Sequence, residues 1–231
     1  MLAVEGIGVA YGHAPVLRDV SFSVGSGEIV CLLGRNGAGK TTAMKATMGL
    51  LPLSAGRVVL AGQVVSDLPA YQVPRRGIGY VPQGRRLFGE LTVAENLAVG
   101  MLARQSPPRA LARALELFPR LHERMGQRAD TLSGGEQQML AMARALCVMP
   151  KVILLDEPTE GLQPSMVAAI RDVAVRLKAD GVAVLLVEQR TEAVLALADR
   201  VVFLENGRVT ETVGAAELRA DPGLLRLRLG L

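Results

Sequence analysis

Nine residues, Gly34-Arg35-Asn36-Gly37-Ala38-Gly39-Lys40-Thr41-Thr42, constrain this chain more than any others. They follow the apolar run Ile29-Val30-Cys31-Leu32-Leu33, which reads as a buried strand, and precede Ala43 to Leu50, which reads as a helix. The pattern G-x-x-x-x-G-K-[ST] between a strand and a helix is a phosphate cradle. Its glycines leave backbone N–H groups free to wrap an anion, and the positive end of the following helix points at the same place. Lys40 adds a cation for the β- and γ-phosphates, and the Thr41 hydroxyl suits Mg²⁺. A glycine-rich turn with no ligand would need neither the complete motif nor its flanks, so a nucleoside triphosphate is the expected ligand.

With 231 residues, half of them hydrophobic, the chain is long enough for one large α/β domain or a domain with a subdomain. No apolar run approaches the length of a bilayer span and the N-terminus lacks a secretory pattern, so a cytosolic location is expected. Cys31 and Cys147 each sit among apolar residues and read as buried, reduced thiols. His13 and His122 stand alone without ligand spacing, so no zinc site is expected. A formal charge of +4 is compatible with nucleotide, anionic headgroups or nucleic acid. The aromatic content of 3% argues against a base-stacking surface.

Along the chain, Val20, Phe22 and Val24 alternate with Asp19, Ser21 and Ser23 as in a half-buried strand. Leu2, Val4, Ile7 and Val9 give a looser strand across the turn at Tyr11-Gly12-His13. Tyr11 is either a surface turn residue or a platform for an adenine ring. Gly56 to Val65 reads as a hairpin, and Gly77 to Val81 as a short strand leading through Pro82 to Gln83. From Thr92 to about Met149 the pattern turns helical: Pro107-Pro108 separates two helices, and Leu111, Leu115 and Phe118 recur at helical spacing.

Leu132-Ser133-Gly134-Gly135-Glu136-Gln137-Gln138 opens a further helix, with methionines that fill core. Its start is either a second anion site or a capped helix N-terminus. Val152-Ile153-Leu154-Leu155 is a buried strand ending in Asp156-Glu157, two carboxylates that are costly to bury unless they meet a cation or a reactive water. Ser165 to Lys178 reads as a helix, Val182 to Val187 as a strand followed by Glu188-Gln189, and Glu205-Asn206-Gly207 as a hairpin turn. Ala215 to Leu231 starts as a helix, and its leucines and arginines beyond Pro222 could pack or dock.

The phosphate loop, Leu132 to Gln138 and Val152 to Pro158 occur together in an order that resembles the ATP-binding subunit of ABC transporters, over essentially the whole chain. The resemblance implies an α/β P-loop ATPase core, residues 1–88 and 150–231, with an antiparallel β subdomain and a helical subdomain at about 89–149. It implies ATP and Mg²⁺ as ligands. Tyr11 would stack on adenine, and Gly34, Arg35, Asn36, Gly37, Ala38, Gly39, Lys40, Thr41 and Thr42 would hold phosphates. Thr41, Gln83 and Asp156 would serve Mg²⁺. Ser133, Gly134 and Gly135 would contact the γ-phosphate of ATP held by a partner subunit. Glu157 would be the general base, and Leu162 would lie in a loop that pairs across the dimer.

Tyr80 to Arg86, Glu160 to Pro164 and Leu185 to Gln189 resemble one subgroup, the second ATPase of importers for branched-chain amino acids, urea and short amides. Most of the wider family carries histidine where this chain has Gln189, and the subgroup shares that departure. Gln189 is therefore either a neutral donor to the γ-phosphate or a turn cap. The implied partners are a second cassette, identical or not, permease subunits docking near Gln83 and the helical block, and indirectly a solute-binding protein. The implied location is the cytoplasmic face of the inner membrane. An exporter ATPase, or an ABC ATPase acting on ribosomes or DNA, would share the motifs. No nucleic acid is expected, because this chain shows neither tandem cassettes nor coiled-coil insertions.

Overall fold

The computed structural model describes residues 1–221 and 223. In chain order the elements begin with β1 (Leu2–Tyr11), β2 (Ala14–Val24), β3 (Ile29–Leu33), α1 (Lys40–Thr47), β4 (Ala55–Leu60), β5 (Gln63–Val64), α2 (Val73–Arg76) and β6 (Ile78–Val81). A helical stretch follows, with α3 (Val93–Arg104), α4 (Pro108–Leu117), α5 (Pro119–His122) and α6 (Gly134–Leu146). The chain continues through β7 (Val152–Asp156), α7 (Pro164–Ala179), β8 (Ala183–Val187), α8 (Thr191–Leu197), β9 (Arg200–Glu205), β10 (Arg208–Gly214) and α9 (Ala215–Ala220). The expected continuation beyond Pro222 lies outside the described residues, Gly223 excepted.

Two sheets carry the fold. The first is antiparallel in the order β2-β1-β4-β5, with Leu2 opposite Val24 and Tyr11 opposite Ala14. The second runs β10-β9-β3-β8-β7-β6, parallel throughout except for β10 at its edge. Parallel strands need both faces covered, which explains why β3, β7 and β8 are buried at every position. Side-chain alternation divides β3 between two cores. Ile29, Cys31 and Leu33 face one shared with Leu140, Ala143, Ile170 and Ala174 of α6 and α7. Val30 and Leu32 face the other, shared with Val4, Ile7 and Val20 of the first sheet and Met44 of α1. Both cysteines are free and buried, as expected.

Helix boundaries follow their caps. Reading α1 over Ala43 to Leu50 places it three residues late. It begins at Lys40 and ends at Thr47, because Gly49 turns left-handed at φ 69°. There the Gly49 N–H donates to the Ala46 carbonyl and the Leu50 N–H to the Lys45 carbonyl, which closes a Schellman turn. Thr92 and Ser133 start α3 and α6, each in a reciprocal box with the glutamate three residues on. The break at Pro107-Pro108 is where the sequence puts it. In α4, Ala110, Ala114 and Leu117 are buried, whereas Leu111 and Leu115 pack partly buried at the core's margin. Among the described residues no helix is long and apolar enough to cross a membrane.

The β9–β10 turn joins both sheets to the phosphate loop. Asn206 and Gly207 both have positive φ, 48° and 73°, as a tight hairpin turn requires. The Gly207 N–H donates to the Ala38 carbonyl at 3.0 Å, and the Gly207 carbonyl accepts from the Arg18 N–H at 2.8 Å. A Cβ at Gly207 would lie 1.9 Å from the Val16 carbonyl oxygen. Only glycine fits that crossing.

A second tie is ionic. Arg200, at the start of β9, donates from Nε to Glu28 Oε1 at 2.5 Å and from Nη2 to the Ser23 carbonyl at 2.8 Å. The hydrogen bond from Arg200 holds the Glu28 carboxyl below its ordinary value of 4.5 against the opposing effect of partial burial. A depressed carboxyl contributes stability that is present above its unfolded pKa and lost as pH falls through its folded pKa. Glu28→Gln is therefore expected to be less stable than the parent at pH 7, with the difference shrinking below about pH 4.5. Urea titrations from pH 7 to pH 3 check this; a pH-independent difference would trace the loss to packing.

Candidate functional site

Three parallel strands deliver the site to one edge. Leu32 pairs with Val187 and Asp156 pairs with Val187, so the chains leaving β3, β7 and β8 emerge side by side at their C-terminal ends. Open α/β sheets place ligands at this edge.

The phosphate loop leaves β3 under tight constraint. A Cβ at Gly34 would sit 2.1 Å from the Leu204 carbonyl oxygen, and one at Gly39 would meet the Leu17 side chain at 2.7 Å. Gly39 has φ 107° and Gly37 has φ 81° with open space before it. Lys40 opens α1 and is buried, at 6% exposure. Its ammonium donates to the Gly34 carbonyl at 2.7 Å and the Arg35 carbonyl at 3.0 Å. Burial pushes the Lys40 pKa down, and the Glu157 and Asp156 charges pull it back up.

Asp156, the last residue of β7, is 1% exposed. It accepts from the Thr41 hydroxyl and the Tyr80 hydroxyl, both at 3.3 Å. Burial raises the Asp156 pKa, and those two hydrogen bonds oppose the rise. Burial likewise raises the Tyr80 phenol, as does the Asp156 charge. Thr41 and Asp156 thus bring a hydroxyl and a carboxylate oxygen together, the hard-oxygen chemistry that suits Mg²⁺.

Glu157 follows in a left-handed conformation, φ 52°, with its N–H donating to the Val187 carbonyl at 2.9 Å. Its carboxylate is held between two amides. Gln189 Nε2 donates to Oε1 at 2.6 Å, and Gln83 Nε2 donates to Oε2 at 3.2 Å. Gln83 Nε2 also donates to Glu160 Oε2 at 3.0 Å. The Gln189 side chain therefore reaches across to Glu157, which a simple turn cap would not do.

Lys40, Thr41, Gln83, Glu157, Glu160 and Gln189 line one cleft of about 590 Å³, together with Asn36, Gly37, Gly39 and Thr42. Gly34, Arg35 and Ala38 border a neighbouring cleft of about 830 Å³, as do Asn36 and Gly37. Tyr11 stands half exposed at the end of β1, outside the lining of either cleft. Val16, at the start of β2, lines the first cleft instead. Ser133, Gly134 and Gly135 also lie outside that cleft. The Ser133 hydroxyl donates to Glu136 Oε2 at 2.7 Å, and Glu136 pairs with Arg124 at 2.8 Å. Gly134 packs beside the Arg85 guanidinium and Gly135 beside Met166, where a Cβ would be 3.0 Å and 2.5 Å away. The capped-helix reading describes this start within one chain. Leu162 is buried at 8% exposure.

Val16, Glu160 and Glu188 join the site with no role assigned from sequence, and Tyr80 enters from sequence only as part of a strand and a subgroup pattern. Glu188 follows β8 directly, as Glu157 follows β7, a parallel visible in the sequence. Val16 carries no motif.

The sequence matches the ABC transporter family over residues 17–160. It is 44% identical to BraG, the high-affinity branched-chain amino acid transport ATP-binding protein of Pseudomonas aeruginosa, with all of both chains covered. It is 37% identical to the lipopolysaccharide export system ATP-binding protein LptB of Escherichia coli, over 99% of this chain and 97% of that one. A solved ATP-binding subunit of an ABC transporter superimposes with a TM-score of 0.86 at 31% identity, over 97% of this chain and 94% of the other. The chain belongs to the ABC transporter family as one of its ATP-binding subunits, and the reaction it catalyses is ATP hydrolysis.

Proposed function

We propose that the chain powers an importer, with branched-chain amino acids, urea or short amides as the solute class, and that Glu157 is its general base. The observation that carries the catalytic part is the Glu157 carboxylate held by Gln83 and Gln189 across the cleft from Lys40. Phosphoryl transfer to water asks mainly for positioning and charge stabilisation. The loop amides and Lys40 hold the β- and γ-phosphates, the ammonium exchanging the Gly34 and Arg35 carbonyls for phosphate oxygens. Glu157 orients the attacking water and accepts its proton. Gln189 fixes one carboxylate oxygen and, from the cleft lining, would serve the γ-phosphate as a neutral donor. Thr41 and Asp156 would hold Mg²⁺, with Gln83 beside them. The ion would neutralise charge on the phosphate oxygens when bound. Tyr11, half exposed outside both clefts, would offer a face for the adenine, and Val16 lines the cleft that holds Lys40.

Ser133 to Gly135, outside this cleft, serve the ATP of a second cassette, so that two subunits close over nucleotide. Closure then depends on ATP and hydrolysis releases it. Residues about 89–149 act as the helical subdomain and 1–88 with 150–231 as the core. Permease subunits dock near Gln83 and the helical block at the cytoplasmic face of the membrane, with a solute-binding protein as the indirect partner. The whole-length similarity to BraG favours import and the amino-acid solute class. The similarity to LptB favours a second reading, an exporter ATPase. Labelled leucine uptake by right-side-out vesicles carrying the assembled transporter separates them: ATP-dependent accumulation supports import, and its absence alongside active ATP hydrolysis supports export or another solute.

Lys40→Ala is expected to weaken ATP binding roughly 10- to 100-fold, the loss of a charge-assisted hydrogen bond. Because Lys40 is buried against its own loop, its melting temperature is measured alongside. Unchanged affinity by calorimetry would remove the ammonium from the phosphate site. Glu157→Gln keeps the size of the side chain but cannot act as a base. It is expected to bind Mg-ATP normally, to hydrolyse it at least about 100-fold more slowly, and to shift towards dimer on size exclusion with ATP. Near-parental hydrolysis would take the general-base role from Glu157.

A further inference from the structure

Glu188 is a buried carboxylate with no part in the chemistry set out above. It is 4% exposed and follows β8 directly. Burying a carboxylate is costly unless its oxygens are satisfied, and here each has protein donors. Oε1 accepts the backbone N–H groups of Gln189 at 2.9 Å and Arg190 at 3.1 Å. Oε2 accepts the Thr159 hydroxyl at 2.5 Å. The first two bonds fix the backbone that carries Gln189. The third reaches the loop after β7, two residues beyond Glu157. That loop is itself tied to β8 by the Glu157 N–H on the Val187 carbonyl, and turned by the Glu160 N–H on the Glu157 carbonyl.

We propose that Glu188 is a positioning residue for ATP hydrolysis, acting through Gln189. It joins the two loops so that the Gln189 amide meets Glu157 Oε1 at 2.6 Å. This rests on the roles given above to Glu157 and Gln189. A long amide side chain with free rotors would hold the base loosely. Anchoring the backbone at Gln189 and Arg190 removes most of the freedom at its root, and the Thr159 bond sets the spacing between the loops. An alanine at 188 leaves two N–H groups and a hydroxyl without their acceptor. A glutamine keeps an acceptor for both N–H groups and a polar atom for Thr159.

Steady-state Mg-ATP hydrolysis by the full chain with its transporter partners, measured for kcat and KM, tests the proposal. Glu188→Ala is expected to lower kcat about 10- to 100-fold, the cost of misplacing a catalytic group by a fraction of a bond length, with KM for ATP little changed. Glu188→Gln is expected to restore most of that loss. Combined with Gln189→Ala, the alanine at 188 is expected to add little, because the side chain it acts through is gone. Hydrogen exchange of the peptide spanning 157–162 is expected to quicken in Glu188→Ala, a readout independent of turnover. Thr159→Val, a near-isosteric change that leaves the carboxylate in place, loosens the same frame and is expected to slow turnover about three- to tenfold.

Parental kcat in Glu188→Ala beside a slow Gln189→Ala would overturn the positioning role alone. Parental kcat in Gln189→Ala would overturn the role of Gln189 and this proposal with it. Losses at 188 and 189 that multiply in full, or a loss confined to KM, would reduce Glu188 to a structural cap.

Discussion

The parallel pairing of β3, β8 and β7 is the constraint on which the site depends. Each strand exits the sheet at the same edge, so three separate stretches of chain deposit their first polar residues within reach of one another. β3 supplies the phosphate loop, β7 supplies Asp156 and Glu157, and β8 supplies Glu188 and Gln189. Because both faces of the sheet are buried, the strands have no freedom to slide, and register becomes site geometry. A one-step shift of β8 against β7 would move Gln189 by a residue's rise, about 3.3 Å, and put its amide out of reach of Glu157.

Around that edge the polar groups are arranged in pairs. Asp156 takes two hydroxyl donors, while Glu157 takes amide donors from two loops. The buried member, Asp156, has its pKa raised by desolvation and relies on Thr41 and Tyr80 to offset it. Lys45 is the cation that favours the Asp156 charge, while Lys40 is disfavoured by burial and supported by the Glu157 and Asp156 carboxylates. The set is mutually dependent, as buried polar networks are.

Much of this was legible in the sequence because it is local. The phosphate loop and the Asp156-Glu157 strand end each announce themselves within nine residues, and the alternation of Val20, Phe22 and Val24 gives the buried face of β2 directly. Tyr80 and Glu188 escaped because their partners are set by topology. Tyr80 meets Asp156 across 76 positions, and Glu188 meets Thr159 across 29. The motif names Lys40 as a cation for phosphates, yet its ammonium folds back onto Gly34 and Arg35, a detail of loop closure that no spacing encodes. Ser133 was ambiguous between anion site and helix cap. Within a single chain it caps, because Glu136 supplies the reciprocal acceptor. Tyr11 and Val16 show the limit of motif reading: a hairpin register decides which of them lines the cleft.

Helix α6 carries a mechanical consequence. Its body is buried through Leu140, Met142, Ala143 and Leu146, while Ser133 at its leading end is exposed. Thirteen residues make a lever about 20 Å long. Tilting it by about 10° around its far end sweeps the leading glycines through about 3.5 Å, roughly one hydrogen-bond length. A rotation small enough to leave the core packing intact is therefore large enough to make or break a contact with an anion facing that end.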